Sequence, residues 1–190
     1  EIREEVVTAT LKKDKKVVAT QSWTVTTLPF DFWQGISGDV EQLAAFVRPR
    51  LGDCMKVRDE IAEQLKKWKI SGDLQGYTGN DKNAIRHILA ALFSTLRRNS
   101  IVRKNADISI PVELGAGVKI LSQHVASAPE LALFACACLE SMGLSPVLLL
   151  GDEEITCGVW LYDNCFLDTV SDDTARLSAY LEDGINNLAF

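Results

Sequence analysis

The run HVASAPELALFACACLESMGLSPVLLL, His124 to Leu150, decides how this chain is read. Ser127 offers a hydroxyl at a helix start, and Glu130, three residues later, completes an S-x-x-E capping box. From Ala128 to Met142 the residues are almost wholly apolar, and a helix that is apolar all round belongs in the centre of a fold. Gly143 ends it, because glycine takes the left-handed backbone that closes a helix without steric cost. SPVLLL, ITCGVWLY and CFLDTV then read as three successive strands separated by polar turns. A central helix feeding an antiparallel sheet is an α+β arrangement.

Upstream, the segment from Ser100 to Ser127, with Pro111, Gly115 and Gly117, predicts a loop and a short helical piece. Before it, Ala84, Ile85, Ile88, Leu89, Leu92, Phe93 and Leu96 place one apolar stripe on a helix from Asp81 to Arg98, with His87 beside the stripe. Leu51, Cys54, Met55, Ile61, Leu65 and Trp68 do the same between Leu51 and Trp68. DVEQLAAFV reads as helical up to Pro49, and Pro29, Gly35 and Gly38 mark a break before it. The opening run EVVTATLKKDKKVVATQSWTVTTL alternates and is rich in Val and Thr, so two strands are predicted, joined by a turn over Lys12, Lys13, Lys15 and Lys16. The organisation expected is a β-hairpin extension, residues 1–28, ahead of an α+β domain, residues 29–190. Trp33, Trp68 and Trp160 are expected to anchor the core, each with a partner for its indole N–H.

Composition bounds the function. A chain of 190 residues with 47% hydrophobic and 24% charged residues has the profile of a globular domain. At that length folding buries roughly 70% of the unfolded surface, so neither a metal nor a disulfide is required for stability. The net charge of −6 argues against a general polyanion-binding surface. The local basic groups, the four lysines above and Arg97, Arg98, Arg103 and Lys104, read as solvated turns and helix ends. The five cysteines are odd in number and form no C-x-x-C pair, which predicts reduced thiols and a cytoplasmic location. Cys136 and Cys138 lie in the apolar helix as small hydrophobes, and Cys157 and Cys165 are placed on neighbouring strands where they could approach each other. No apolar run of about 18 residues and no leader pattern is present; Glu1 without a preceding methionine is read as the mark of a cut chain. No zinc spacing and no glycine-rich phosphate loop occurs, so no metal and no cofactor is expected.

ASAPELALFACACLESMGLSP, from Ala126 to Pro146, resembles the nucleophile helix of the transglutaminase-like branch of the papain-like superfamily. There a small residue and a nucleophilic cysteine open a buried helix that ends in G-[IL]-x-[PA]. EITCGVWLYDNCFLDT is similar to the frame that follows, in which a histidine begins one strand and an aspartate ends the next. The resemblance puts Ala128 at the cysteine position, Glu154 at the histidine position and Asp168 at the aspartate position. LPFDFWQGISGDVEQLAAFVRP, LQGYTGND, RRNSI, SMGLSP and GVWL extend the likeness over nearly the whole chain, to the N-terminal module of large bacterial helicase-like proteins of superfamily one.

What the resemblance implies is a papain-like or transglutaminase-like core without its chemistry. A thiolate nucleophile and a base able to lower its pKa are both needed; Ala128 supplies no nucleophile, and Asp168 would have no imidazole to orient. The expectation is a non-catalytic interaction or scaffolding domain of a larger helicase-like or defence-related protein. Its partner would be a protein or other domains of a longer chain, with nucleic acid reached only through an attached motor domain and no membrane involved. His124, Asp152, Glu153 and Glu154 form a candidate acidic binding rim. The alternative is a thiol protease, amidase or acyl transferase whose nucleophile at position 128 has been replaced.

Overall fold

A computed structural model describes residues 3–79, 81–115, 120–151, 154–168, 170–181 and 187–190. The chain is a mixed α+β protein that divides into two compact units, Glu1–Phe32 and Trp33–Phe190.

The first unit is a β-hairpin. Strand β1 (Arg3–Lys13) pairs antiparallel with β2 (Lys16–Thr27), and a bulge falls between Leu11 and Lys12. The connecting residues are Asp14 and Lys15, both with positive φ, 48° and 65°. Two left-handed residues in succession make the turn whose twist matches that of the flanking strands. Val, Thr and Trp favour the extended backbone, and the alternation visible in the sequence becomes two ribbon faces.

The second unit is helical at its heart. Strand β3 (Phe32–Trp33) is followed by a 3₁₀ helix at Val40–Phe46. Asp39 caps that helix by accepting from the Glu41 amide. Helix α1 (Gly52–Lys67) buries Cys54, Val57, Ile61 and Leu65. Helix α2 (Lys82–Arg98) buries Ile85, Ile88, Leu89, Ala91, Leu92, Thr95 and Leu96, with Asp81 accepting from the Asn83 amide at its start. Strand β4 (Val102–Lys104), the short strand β5 (Val112–Glu113), helix α3 (Ile120–Gln123) and strand β6 (Val125–Ser127) lead into α4 (Ala128–Ser141). β4 and β6 pair in parallel. β7 (Pro146–Leu150) and β8 (Ile155–Trp160) form an antiparallel hairpin, α5 (Thr174–Leu181) follows, and β9 (Leu188–Ala189) closes the sheet in the order β7–β8–β9.

Helix α4 is the central element. It packs on α1, β6, β7 and β8, and Leu133, Phe134, Ala135, Cys136, Ala137, Cys138 and Leu139 are all buried. Each large side chain so buried contributes roughly 1.5–3 kcal/mol, which explains why a helix with little amphipathic contrast is stable here. Gly143, at φ +75°, ends it, and Gly76, at φ +64°, lies so close that an added Cβ would stand 2.7 Å from the Gly143 carbonyl oxygen. The neighbouring Tyr77 hydroxyl donates to the Trp160 carbonyl and accepts from the Ser145 amide, both at 2.9 Å. This ties the loop before α2 to the α4–β7 junction and the end of β8.

Several sequence expectations are corrected. Residues 165–168 do not form a strand; the third strand of the sheet is Leu188–Ala189, which pairs with Val159 and Trp160. Chain-distant pairing of this kind leaves no signal in local alternation. Met55, Trp68 and Phe93 are exposed rather than buried, because the burying stripe of α1 runs through Val57 and that of α2 through Ala91 and Thr95. Trp33 is buried, but its indole nitrogen has no hydrogen-bond partner among the described residues.

Candidate functional site

The start of α4 is the place where the sequence predicts vestigial chemistry, and it is built around a buried carboxylate. Ser127 caps the helix; its hydroxyl oxygen accepts from the Glu130 amide at 3.4 Å, and Glu130 reaches back to accept from the Ser127 amide at 2.7 Å. The Ser127 hydroxyl lies 2.7 Å from the same carboxylate and donates to it. The capping box is therefore formed as the S-x-x-E spacing predicts. Two further donors arrive from outside the motif. The Gly115 amide donates to Oε1 at 3.0 Å, and Lys104 Nζ stands 2.9 Å from Oε2, the oxygen that Ser127 also bonds.

Glu130 is 6% exposed and Lys104 48% exposed, so the pair is buried at one end and wet at the other. Burial alone would raise the Glu130 pKa. The Ser127 amide, Lys104, the Ser127 hydroxyl and the Gly115 amide together outweigh that effect and hold it below the ordinary glutamate value. A carboxylate with several N–H donors stays ionised for this reason. Beside it lies a cavity of only about 10 Å³, bordered by Phe46, Arg48, Leu51, Leu133 and Ala137. That is room for about one water molecule.

The three positions implied by the family resemblance fall on different local structures. Ala128 is the first residue of α4 and is half-buried. Glu154 is exposed at the β7–β8 turn, where its carbonyl accepts from the Gly151 amide at 2.8 Å. Asp168 is exposed in an irregular segment, and its carboxylate pairs with Arg176 at 3.4 Å rather than with any residue of α4 or β8. The expectation that Asp168 ends a strand beside Glu154 fails with the strand itself. Of the rim residues, Asp152 and Glu153 lie outside the described residues. His124 is exposed at φ 53°. Its ring Nδ1 donates to the Asn99 carbonyl at 2.7 Å, and its own carbonyl accepts from the Val102 amide at 2.7 Å. It joins the end of α2 to the start of β6 and is occupied in that role.

Two buried thiol pairs form, and Cys157 and Cys165, which the sequence reads as able to approach each other, are not one of them. Cys136 Sγ on α4 stands 3.2 Å from Cys157 Sγ on β8, and Cys165 is exposed in the irregular segment. The contact with Cys157, reinforced by burial, pushes the Cys136 thiol well up. Cys138 faces Cys54 on α1; that contact and burial raise Cys138 well above the usual thiol value, while the hydrogen bond from Cys138 lowers Cys54 against the opposing effects of burial and Asp53. Both members of this pair are fully buried.

The sequence reading missed Lys104 and Gly115 as partners of Glu130. By sequence Lys104 reads, with Arg97, Arg98 and Arg103, as a solvated element end, and the local hint is that a glutamate inside an apolar run must be paired. Among the described residues no group of three or more His, Cys, Asp or Glu side chains gathers in a way that could hold a metal ion. No helix of the described residues is long and apolar enough to cross a membrane. No protein-family model matches the chain, no curated protein matches it, and no solved structure matches it.

Proposed function

We propose that the second unit is a non-catalytic interaction domain on a degenerate transglutaminase-like frame, a module of a larger helicase-like or defence-related protein. The observation that carries this reading is the resident carboxylate at the start of α4. A thiol enzyme uses a helix start and nearby amides to stabilise a thiolate and the oxyanion that follows. Here the Ser127 and Gly115 amides and the Lys104 ammonium are committed to Glu130. A cavity of about 10 Å³ is far below the roughly 300–1,000 Å³ of small-molecule sites. Cys54, Cys136, Cys138 and Cys157 are sealed in the core, and Ala128 carries no nucleophilic atom. Binding would then fall to surfaces other than the start of α4.

Alkylation of the five cysteines at neutral pH, mapped on the folded protein by mass spectrometry, tests the reading, with an Ala128→Cys variant alongside. The expected result is that no native thiol reacts faster than a free cysteine and that the thiol introduced by Ala128→Cys gains at most about tenfold from the helix dipole. A native thiol or the variant's new thiol reacting hundreds of times faster would reveal an activating base and restore the thiol-enzyme reading.

A further inference from the structure

Four of the five cysteines, Cys54, Cys136, Cys138 and Cys157, are buried on α1, α4 and β8, and helix geometry divides them into pairs. Cys136 and Cys138 are two residues apart on α4, which sets their side chains about 200° apart around the helix axis. They do not face each other. Cys138 meets Cys54 on α1, and Cys136 meets Cys157 on β8. On β8 the alternation buries Ile155 and Cys157 and exposes Thr156 between them, so Cys157 lies on the side that α4 covers. The outcome is two sulfurs 3.2 Å apart, with no atom between them.

Among the described residues no third His, Cys, Asp or Glu joins this pair in a way that could hold a metal ion. The reaction the geometry offers is between the two sulfurs themselves. A disulfide is about 2.0 Å long, so the sulfurs must approach by roughly 1 Å, a movement of the size that χ1 rotations within a rotamer well provide. We propose that Cys136 and Cys157 are a peroxide-oxidisable dithiol whose disulfide fastens the central helix to the β7–β8 hairpin. The proposal is independent of the reading of the α4 start.

With hydrogen peroxide as the oxidant, one sulfur attacks as thiolate on a peroxide oxygen. The O–O bond breaks, a sulfenic acid forms and the other oxygen leaves as water. The second sulfur gives up its proton and attacks the sulfenic sulfur; the S–S bond forms, the S–O bond breaks and a second water leaves. Two S–H groups and one peroxide become one disulfide and two waters, the sulfurs losing the two electrons that the peroxide gains. In the closed fold this is slow, because the contact with Cys157 and burial keep Cys136 protonated and the thiolate is the nucleophile. It advances when α4 and β8 part locally. The bond closes a loop of about twenty residues and so removes freedom from the unfolded chain.

Peptide mapping tests this on the full chain, reduced, freed of reductant, treated with hydrogen peroxide and digested without reduction. The expected result is a peptide pair joined through Cys136 and Cys157, lighter by two hydrogens than its free halves. The melting temperature should rise by about 5–10 °C and return on adding dithiothreitol. Cys136→Ala and Cys157→Ala should each lose the rise, and Cys54→Ala should keep it. The map of the natural sequence decides the matter even where an alanine variant fails to fold, and the exposed Cys165 reports that the oxidant has acted. Cys136 and Cys157 recovered as free thiols after Cys165 is oxidised overturn the proposal. So does a link from either to another cysteine, a link formed only after denaturant unfolds the chain, or one that leaves the melting temperature unmoved.

Discussion

At the scale of single residues, Glu130 concentrates the physics of this protein. It is a carboxylate inside an apolar helix that satisfies the helix start, a neighbouring loop amide and a lysine from another strand. Glu130→Gln keeps the size and removes the charge, so the loss is that of charge-assisted bonds, and a destabilisation of about 2–3 kcal/mol is expected at neutral pH. Because the folded pKa lies below the ordinary value, its stabilising contribution is fully present above the ordinary glutamate range. That contribution is lost as pH falls through the lowered folded value. Denaturant melts across that acidic window should therefore show a steeper loss of stability in the wild type than in Glu130→Gln. Ala128 beside it illustrates the opposite case, a position where a small helix-forming side chain is compatible with the architecture whatever chemistry is absent.

The elements are held to one another by a few polar ties laid over apolar packing. Tyr77 is the clearest, since one hydroxyl serves both the β7 entry and the β8 exit. Burial raises its pKa, against the lowering effect of the Ser145 amide. Tyr77→Phe leaves the ring in place and orphans a carbonyl and an amide, for an expected cost of about 1–3 kcal/mol, measurable by chemical denaturation. Next to it, the close approach to the Gly143 carbonyl requires glycine at 76, while the left-handed backbone at φ +75° favours glycine at 143. Trp160 sits at the same corner, edge-on to Tyr162, Phe166 and Tyr180 at centroid distances of 5.6, 4.9 and 4.9 Å. These contacts give the irregular segment after β8 an anchor that strand pairing does not provide.

At the scale of the whole molecule, the two units differ in kind. The second unit has a buried core running from Trp33 to Leu161. The first is a ribbon exposed on both faces over nearly its whole length. Local stability follows buried contacts, so amide exchange should be slow in α4 and β8. In residues 3–27, exposed along nearly all of both strands, it should be fast. Exchange in the hairpin as slow as in α4 would contradict that ordering.

The sequence by itself determined the elements whose cause is local. The capping box and the apolar run specify α4, Asp81 and its stripe specify α2, and the Val/Thr alternation broken by lysines specifies the hairpin and its turn. Each rests on interactions between residues a few positions apart, which spacing exposes. Only the tertiary structure decided what is assembled across the chain. It brought Lys104 and Gly115 to Glu130, Cys157 to Cys136 and Cys54 to Cys138, chose Leu188–Ala189 over CFLDTV as the third strand, and paired Asp168 with Arg176. Those outcomes depend on which surfaces meet when the core closes, which residue spacing along the chain does not encode.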